Sequence, residues 1–77
     1  MYRVVLKKSA EKNLQKIDHR YKKRILSALI ELETNPLLGK ALKGELFNMY
    51  SLRVWPYRII YTIYKNKLTV FVIAIDH

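Results

Sequence analysis

Arg53 and Arg58 are the side chains of this sequence best spaced to act together on an anion. They lie in Tyr50-Ser51-Leu52-Arg53-Val54-Trp55-Pro56-Tyr57-Arg58-Ile59-Ile60-Tyr61, where alternating β-branched and aromatic runs flank a Trp-Pro breaker, the pattern of a β-hairpin. With Trp55-Pro56 as the turn, Val54 lies opposite Tyr57 and Arg53 opposite Arg58. Ser51, Arg53, Arg58 and Ile60 then share one face, and Leu52, Val54, Tyr57, Ile59 and Tyr61 the other. Like charges directly opposed on a sheet are destabilising by up to about 1 kcal/mol, so this register predicts an anion between the two guanidiniums. Arginine donors match phosphate oxygens in pairs, but a guanidinium stays protonated at working pH and is a poor carrier of protons. Proton transfer therefore has to come from elsewhere. His77 suits either role, imidazole being the side chain best matched to proton exchange near neutrality. His19, set among Arg20, Lys22, Lys23 and Arg24, reads as surface charge on a basic helix face that could also grip a phosphate backbone. Tyr64 falls on the Arg58 face of its strand and is available for stacking or proton transfer, whereas Tyr50, Tyr57 and Tyr61 go with the core.

Charge narrows the partner. Fifteen Lys and Arg against six Asp and Glu leave a net charge of +9 in 77 residues, with a pI near 10.0. That imbalance favours a polyanion, nucleic acid first, over an acidic protein surface or simple solubility. No cysteine is present, which excludes a disulfide frame, a thiolate nucleophile and a thiolate metal site. Two separated histidines with no acidic cluster argue against zinc, and no cofactor is expected. The amino terminus lacks a signal peptide's apolar stretch, and the longest apolar run, Leu68 to Ile75, is too short to span a bilayer. A single cytoplasmic domain over residues 1–77, with no membrane partner, is expected.

The elements that must position these groups follow from periodicity. Tyr2, Val4 and Leu6 alternate with Arg3, Val5 and Lys7 as in a half-buried strand. Ser9 suits an N-cap for a short helix with Ala10, Leu14 and Ile17 on one face. Asp18 suits the cap of a second helix that runs to about Thr34 and ends before Asn35-Pro36. Its stripe of Tyr21, Ile25, Ala28, Leu29 and Leu32 should cover a sheet. Leu26 and Ile30 widen the apolar band beyond what one sheet face needs, so either the first helix or a partner chain should cover them. A loop at Pro36 to Gly44 precedes strands at about Phe47 to Val54, Tyr57 to Tyr64 and Leu68 to Ile75. The last is apolar on both faces and should be central, with Lys65-Asn66-Lys67 as the turn before it and Asn66 suited to a left-handed conformation. The result is an α+β fold, β-α-α-β-β-β, with two N-terminal helices packed on one face of a small, mostly antiparallel twisted sheet.

This order, together with Asn35-Pro36, the Leu42-Lys43-Gly44 corner, Tyr50-Ser51-Leu52-Arg53, Tyr57-Arg58-Ile59-Ile60-Tyr61 and the closing Ile73-Ala74-Ile75-Asp76-His77, resembles the RelE/ParE superfamily of bacterial and archaeal toxins over essentially the whole chain. The resemblance implies a type II toxin held inactive by an acidic, RelB-like antitoxin in a hetero-oligomer. RelE-like members cut mRNA on the ribosome without a metal; ParE-like members poison DNA gyrase; a third possibility is a non-catalytic nucleic-acid-binding relic. The ribonuclease reading is preferred because of the charge and the arginine pair. It implies Arg58, Arg53 and His77 as catalytic residues and Lys43, Ser51, Arg53, Arg58 and Tyr64 as the RNA-binding set. Ser51 and Met49 stand where RelE-like toxins often carry lysines, which favours the gyrase alternative. Family members usually continue past the final strand with a His-Arg or Lys-Arg pair and a later catalytic tyrosine, whereas the sequence here stops at His77; a chain ending there is expected to have impaired nuclease activity.

Overall fold

A computed structural model describes residues 1–77. The elements run β1 (Arg3–Leu6), α1 (Lys8–Lys16), α2 (His19–Thr34), β2 (Lys40–Ala41), β3 (Met49–Val54), β4 (Tyr57–Tyr64) and β5 (Thr69–Asp76), with 3-10 turns at Gly44–Leu46 and Lys65–Lys67. The strands form one sheet in the order β1-β5-β4-β3-β2. Only the β1–β5 pairing is parallel. As its two apolar faces require, β5 lies inside the sheet.

Both helices contribute to a single core of 11 buried residues. Ala10, Ile17, Ile25, Ala28, Leu29 and Leu32 meet Ile59, Tyr61, Val70, Val72 and Ile75. The α2 stripe is as its periodicity requires, with Tyr21 half-buried at its margin and edge-on to Tyr57 (5.8 Å). Asp18 caps α2, its Oδ1 accepting from the Arg20 backbone N–H at 2.8 Å and from Arg20 Nε at 3.2 Å. These two bonds, with the Arg20 charge, hold the Asp18 carboxyl below its ordinary value of 3.8. A lowered folded-state pKa contributes stability above the unfolded value and loses it as pH falls through the folded one. Thermal melts taken below pH 4 should therefore show a shallower acid dependence for Asp18→Asn than for the wild type.

Several local details depart from the sequence expectations. Ser9 does not cap α1. Lys7 holds the N-cap position without a side-chain bond, and Ser9 Oγ donates instead to the Ile73 carbonyl on β5 (2.8 Å). Met49 rather than Phe47 begins β3, because Phe47 ends a 3-10 turn and Asn48 is left-handed (φ 75°). The left-handed residue before β5 is Leu68 (φ 46°), not Asn66, which the short 3-10 turn absorbs. The Pro36–Gly44 loop also contains a short strand, β2, which pairs Lys40 with Ser51 and Ala41 with Tyr50.

Leu26 and Ile30 are 43% and 63% exposed, so α1 does not cover them. A nine-residue helix is only about 14 Å long, and α1 spends that length on β5 and β1.

Candidate functional site

The hairpin register is the one read from the sequence. Across β3 and β4, Arg53 pairs with Arg58 and Val54 with Tyr57, around a two-residue turn whose Trp55–Pro56 peptide is cis. Both arginines are exposed. Ile59 and Tyr61 are fully buried on the opposite face, so strand alternation directs both guanidinium groups to the helix-free side. Cross-strand placement of two permanent charges gives that face a chemistry suited to an anion. The chain's one ion pair, Arg20 with Asp18, lies elsewhere.

Three surface hollows meet at Arg53. One of about 320 Å³ is walled by Lys40, Ser51, Arg53 and Arg58. A second, of about 550 Å³, is walled by Arg53, Trp55, Arg58, Asp76 and His77. The third, of about 580 Å³, runs between α2 and β3 past Arg20, Lys23, Arg24 and Arg53. Cations outnumber carboxylates from the arginine pair along the edge of β3 to the first turns of α2, Glu31 being the one carboxylate in the third hollow.

Lys40 reaches this site because its loop is fastened to the core. The Tyr61 hydroxyl accepts from the Gly39 N–H and donates to the Pro36 carbonyl, both at 2.8 Å. Burial pushes the Tyr61 phenol up, with the Gly39 N–H opposing and the neighbouring Tyr50 adding to the rise. Gly39 has no room for a side chain: a Cβ would stand 2.7 Å from Tyr61 Oη and 3.1 Å from the Ser51 backbone carbon.

Asp76 owes its direction to a β-bulge. Between β4 and β5, Ile60 pairs with Ala74 but Tyr61 with Val72, leaving Ile73 as the extra residue. The bulge changes the phase of β5, so that Val72 and Ile75 both enter the core while Asp76 comes opposite Arg58. Two α1 residues one turn apart hold the irregular backbone: Ser9 on the Ile73 carbonyl, and Asn13 Oδ1, which accepts from the Ile75 N–H at 3.1 Å.

The residues singled out from the sequence separate accordingly. Arg53, Arg58 and Ser51 line one hollow together. His77 follows Asp76 and stands with its ring edge-on to Tyr57 at 5.2 Å, lining both the arginine cleft and a smaller hollow beside Asn13 and Lys16. Lys43 lies beyond β2 at the entry to a 3-10 turn and contributes to none of the three hollows. Tyr64 is six positions from Arg58 along β4, about 20 Å away; it packs near Phe71 and lines a different hollow with Asn48 and Thr62. Sharing a face did not bring it to the site. Lys40, Trp55 and Asp76 were missed. A two-residue strand has no periodicity to detect, Trp55 stands in the sequence as a turn breaker, and the bulge that aims Asp76 has no Gly or Pro to mark it.

Residues 4–77 match the family described as ParE toxin of type II toxin-antitoxin system, parDE. The chain belongs to the RelE/ParE superfamily of type II toxins. Within the superfamily, it is 37% identical over 65 residues to Toxin RelG of Mycobacterium tuberculosis (strain ATCC 25618 / H37Rv), covering 77% of this chain and 75% of that one. The RelE/ParE fold itself is matched in the RelBE2 toxin-antitoxin complex of M. tuberculosis with a TM-score of 0.92, at 31% identity over 99% of this chain and 96% of that one. The intact E. coli RelBE complex gives a TM-score of 0.86 at 24% identity, over 99% and 95% of the two chains, and so supports the fold alone.

Proposed function

We propose that this type II toxin is a ribosome-dependent endoribonuclease that cuts mRNA and halts translation. The reading rests on the Arg53–Arg58 pair: two guanidiniums opposed on an exposed sheet face, with Lys40 beside them and no carboxylate at ion-pair distance. In such a reaction the RNA 2′-oxygen attacks the adjacent phosphorus and the bond to the 5′-oxygen breaks. The two arginines hold the non-bridging oxygens as their charge grows. His77, at the end of the same cleft, is the group suited to exchange a proton. The mRNA and ribosome place this activity in the cytoplasm, and no helix of the chain is long and apolar enough to cross a membrane.

Ribosomes programmed with a defined mRNA test the reading by primer extension. Cuts should accompany the wild type and disappear with Arg58→Ala. Inhibition of DNA gyrase with the mRNA left intact would replace this reading with the second one, a ParE-like poison. The absence of lysine at Met49 and Ser51 favours that alternative.

The partner proposed is an acidic antitoxin segment that folds on binding, with its aliphatic residues over Leu26 and Ile30 in a toxin-antitoxin hetero-oligomer. Because both residues are exposed, Leu26→Ser with Ile30→Ser should shift the melting temperature by no more than about 8 °C, at about ±0.5 kcal/mol per site. Antitoxin affinity, measured by calorimetry, should fall at least tenfold and stay reduced in high salt, because the lost contact is apolar.

A further inference from the structure

We propose that Trp55 is a nucleobase platform: it stacks on the base of a single-stranded RNA whose phosphate sits on Arg53 and Arg58. The inference rests on the RNA reading above and assigns the part of the strand that the arginines do not hold.

Four observations lead to it. Trp55 lies at the tip of the β3–β4 hairpin and is 68% exposed, although an indole is the largest apolar surface a side chain offers and is seldom spent on a turn. It lines the same cleft as Arg53, Arg58, Asp76 and His77. Its ring is unengaged, whereas nearby Tyr57 is edge-on to Tyr21 and His77, and Tyr21 carries the Arg20 guanidinium over its face. Finally, the turn is tethered: Arg24 donates from Nη1 to the Trp55 carbonyl at 3.3 Å, tying the hairpin tip to α2.

Arginines supply affinity for any phosphate but cannot tell a nucleotide from a free anion. A flat aromatic face at the rim of the same cleft supplies what they lack. Base–aromatic stacking is tolerant of sequence because every base has a π-face. Trp55 is two residues from Arg53 and three from Arg58, close enough for one nucleotide to place its phosphate on the pair and its base on the indole. Double-stranded nucleic acid is excluded from this mode, since its bases are already stacked.

Trp55 is the chain's only tryptophan, so its emission reports on the platform directly. The probe is a short, end-labelled, 2′-O-methylated single-stranded RNA, which cannot be cut, and the same strand carrying abasic residues. Anisotropy of the label reads binding, and tryptophan emission reads stacking. The expected result is quenching of Trp55 that saturates with the anisotropy change. Trp55→Ala should bind about 10- to 100-fold more weakly, Trp55→Phe should retain most of the affinity, and both should melt as the wild type does. The abasic strand should bind the wild type as weakly as the intact strand binds Trp55→Ala.

Binding that depends on Arg58 but leaves Trp55 emission unchanged, or that is equal for the abasic strand, would overturn the platform while leaving the RNA reading standing. No Arg58-dependent binding to any strand would overturn the platform, while the cutting assay on programmed ribosomes decides the RNA reading separately. A Trp55→Ala variant that loses antitoxin affinity but keeps RNA affinity would assign the indole to a protein contact and overturn the proposal.

Discussion

Arg58→Ala should abolish toxicity on expression in cells while leaving a folded, soluble protein. Arg58 sits on an exposed strand face opposite Arg53, and its side chain is not part of the buried core. In the proposed reaction its loss removes one of two donors to the developing phosphorane charge. Removing a single preorganised donor of that kind lowers a rate by about 10²- to 10³-fold. Stability should change little, because the substitution relieves the like-charge pair with Arg53 but also removes the opposite charge facing Asp76, each worth tenths of a kcal/mol to about 1 kcal/mol. Arg58→Lys tests the geometry separately. It keeps the charge but loses the bidentate fork, so it should recover RNA binding better than cleavage. Growth arrest by a soluble Arg58→Ala protein at normal expression would remove this residue from the mechanism.

The largest effect on stability is expected where the loop carrying Lys40 is fastened to the core. In Tyr61→Phe, the Gly39 N–H and the Pro36 carbonyl lose their shared partner in a partly buried setting, a loss of about 1–3 kcal/mol. For a domain of this size that corresponds to a fall in melting temperature of about 5–20 °C. Gly39→Ala should also destabilise, since its Cβ meets Tyr61 Oη and the Ser51 backbone. Because the hydroxyl is both the bond partner and the first obstacle, the double variant should lose less than the sum of the singles. Chemical denaturation of the three variants measures this coupling, and strict additivity would show that the two residues act apart. Tyr61→Phe should weaken phosphate binding too, because Lys40 is positioned by the residue before it.

The sequence by itself determined the elements and the arginine pair, because both rest on local rules. Alternation over Tyr50–Val54 and Tyr57–Tyr61, with a two-residue breaker between them, favours the register that sends Leu52, Val54, Tyr57, Ile59 and Tyr61 to the core side, and that register opposes Arg53 to Arg58. The Asp18 cap and the Asn35-Pro36 stop bound α2 in the same local way. The tertiary structure decided which other residues join the pair. Lys40 arrives through a two-residue strand and a buried tyrosine that bonds Gly39 from 22 positions away, a contact no local pattern encodes. Asp76 is turned toward Arg58 by an extra residue in β5, held by Ser9 and Asn13 from a helix more than 60 positions earlier. Tyr64 has the right face and the wrong distance, since a period of two records which side a residue faces and not how far along the strand it lies. Trp55 was visible in the sequence as a residue that starts a turn. Only the folded hairpin shows that its indole is left free at the rim of a cationic cleft, because exposure belongs to the packed molecule and not to the residue.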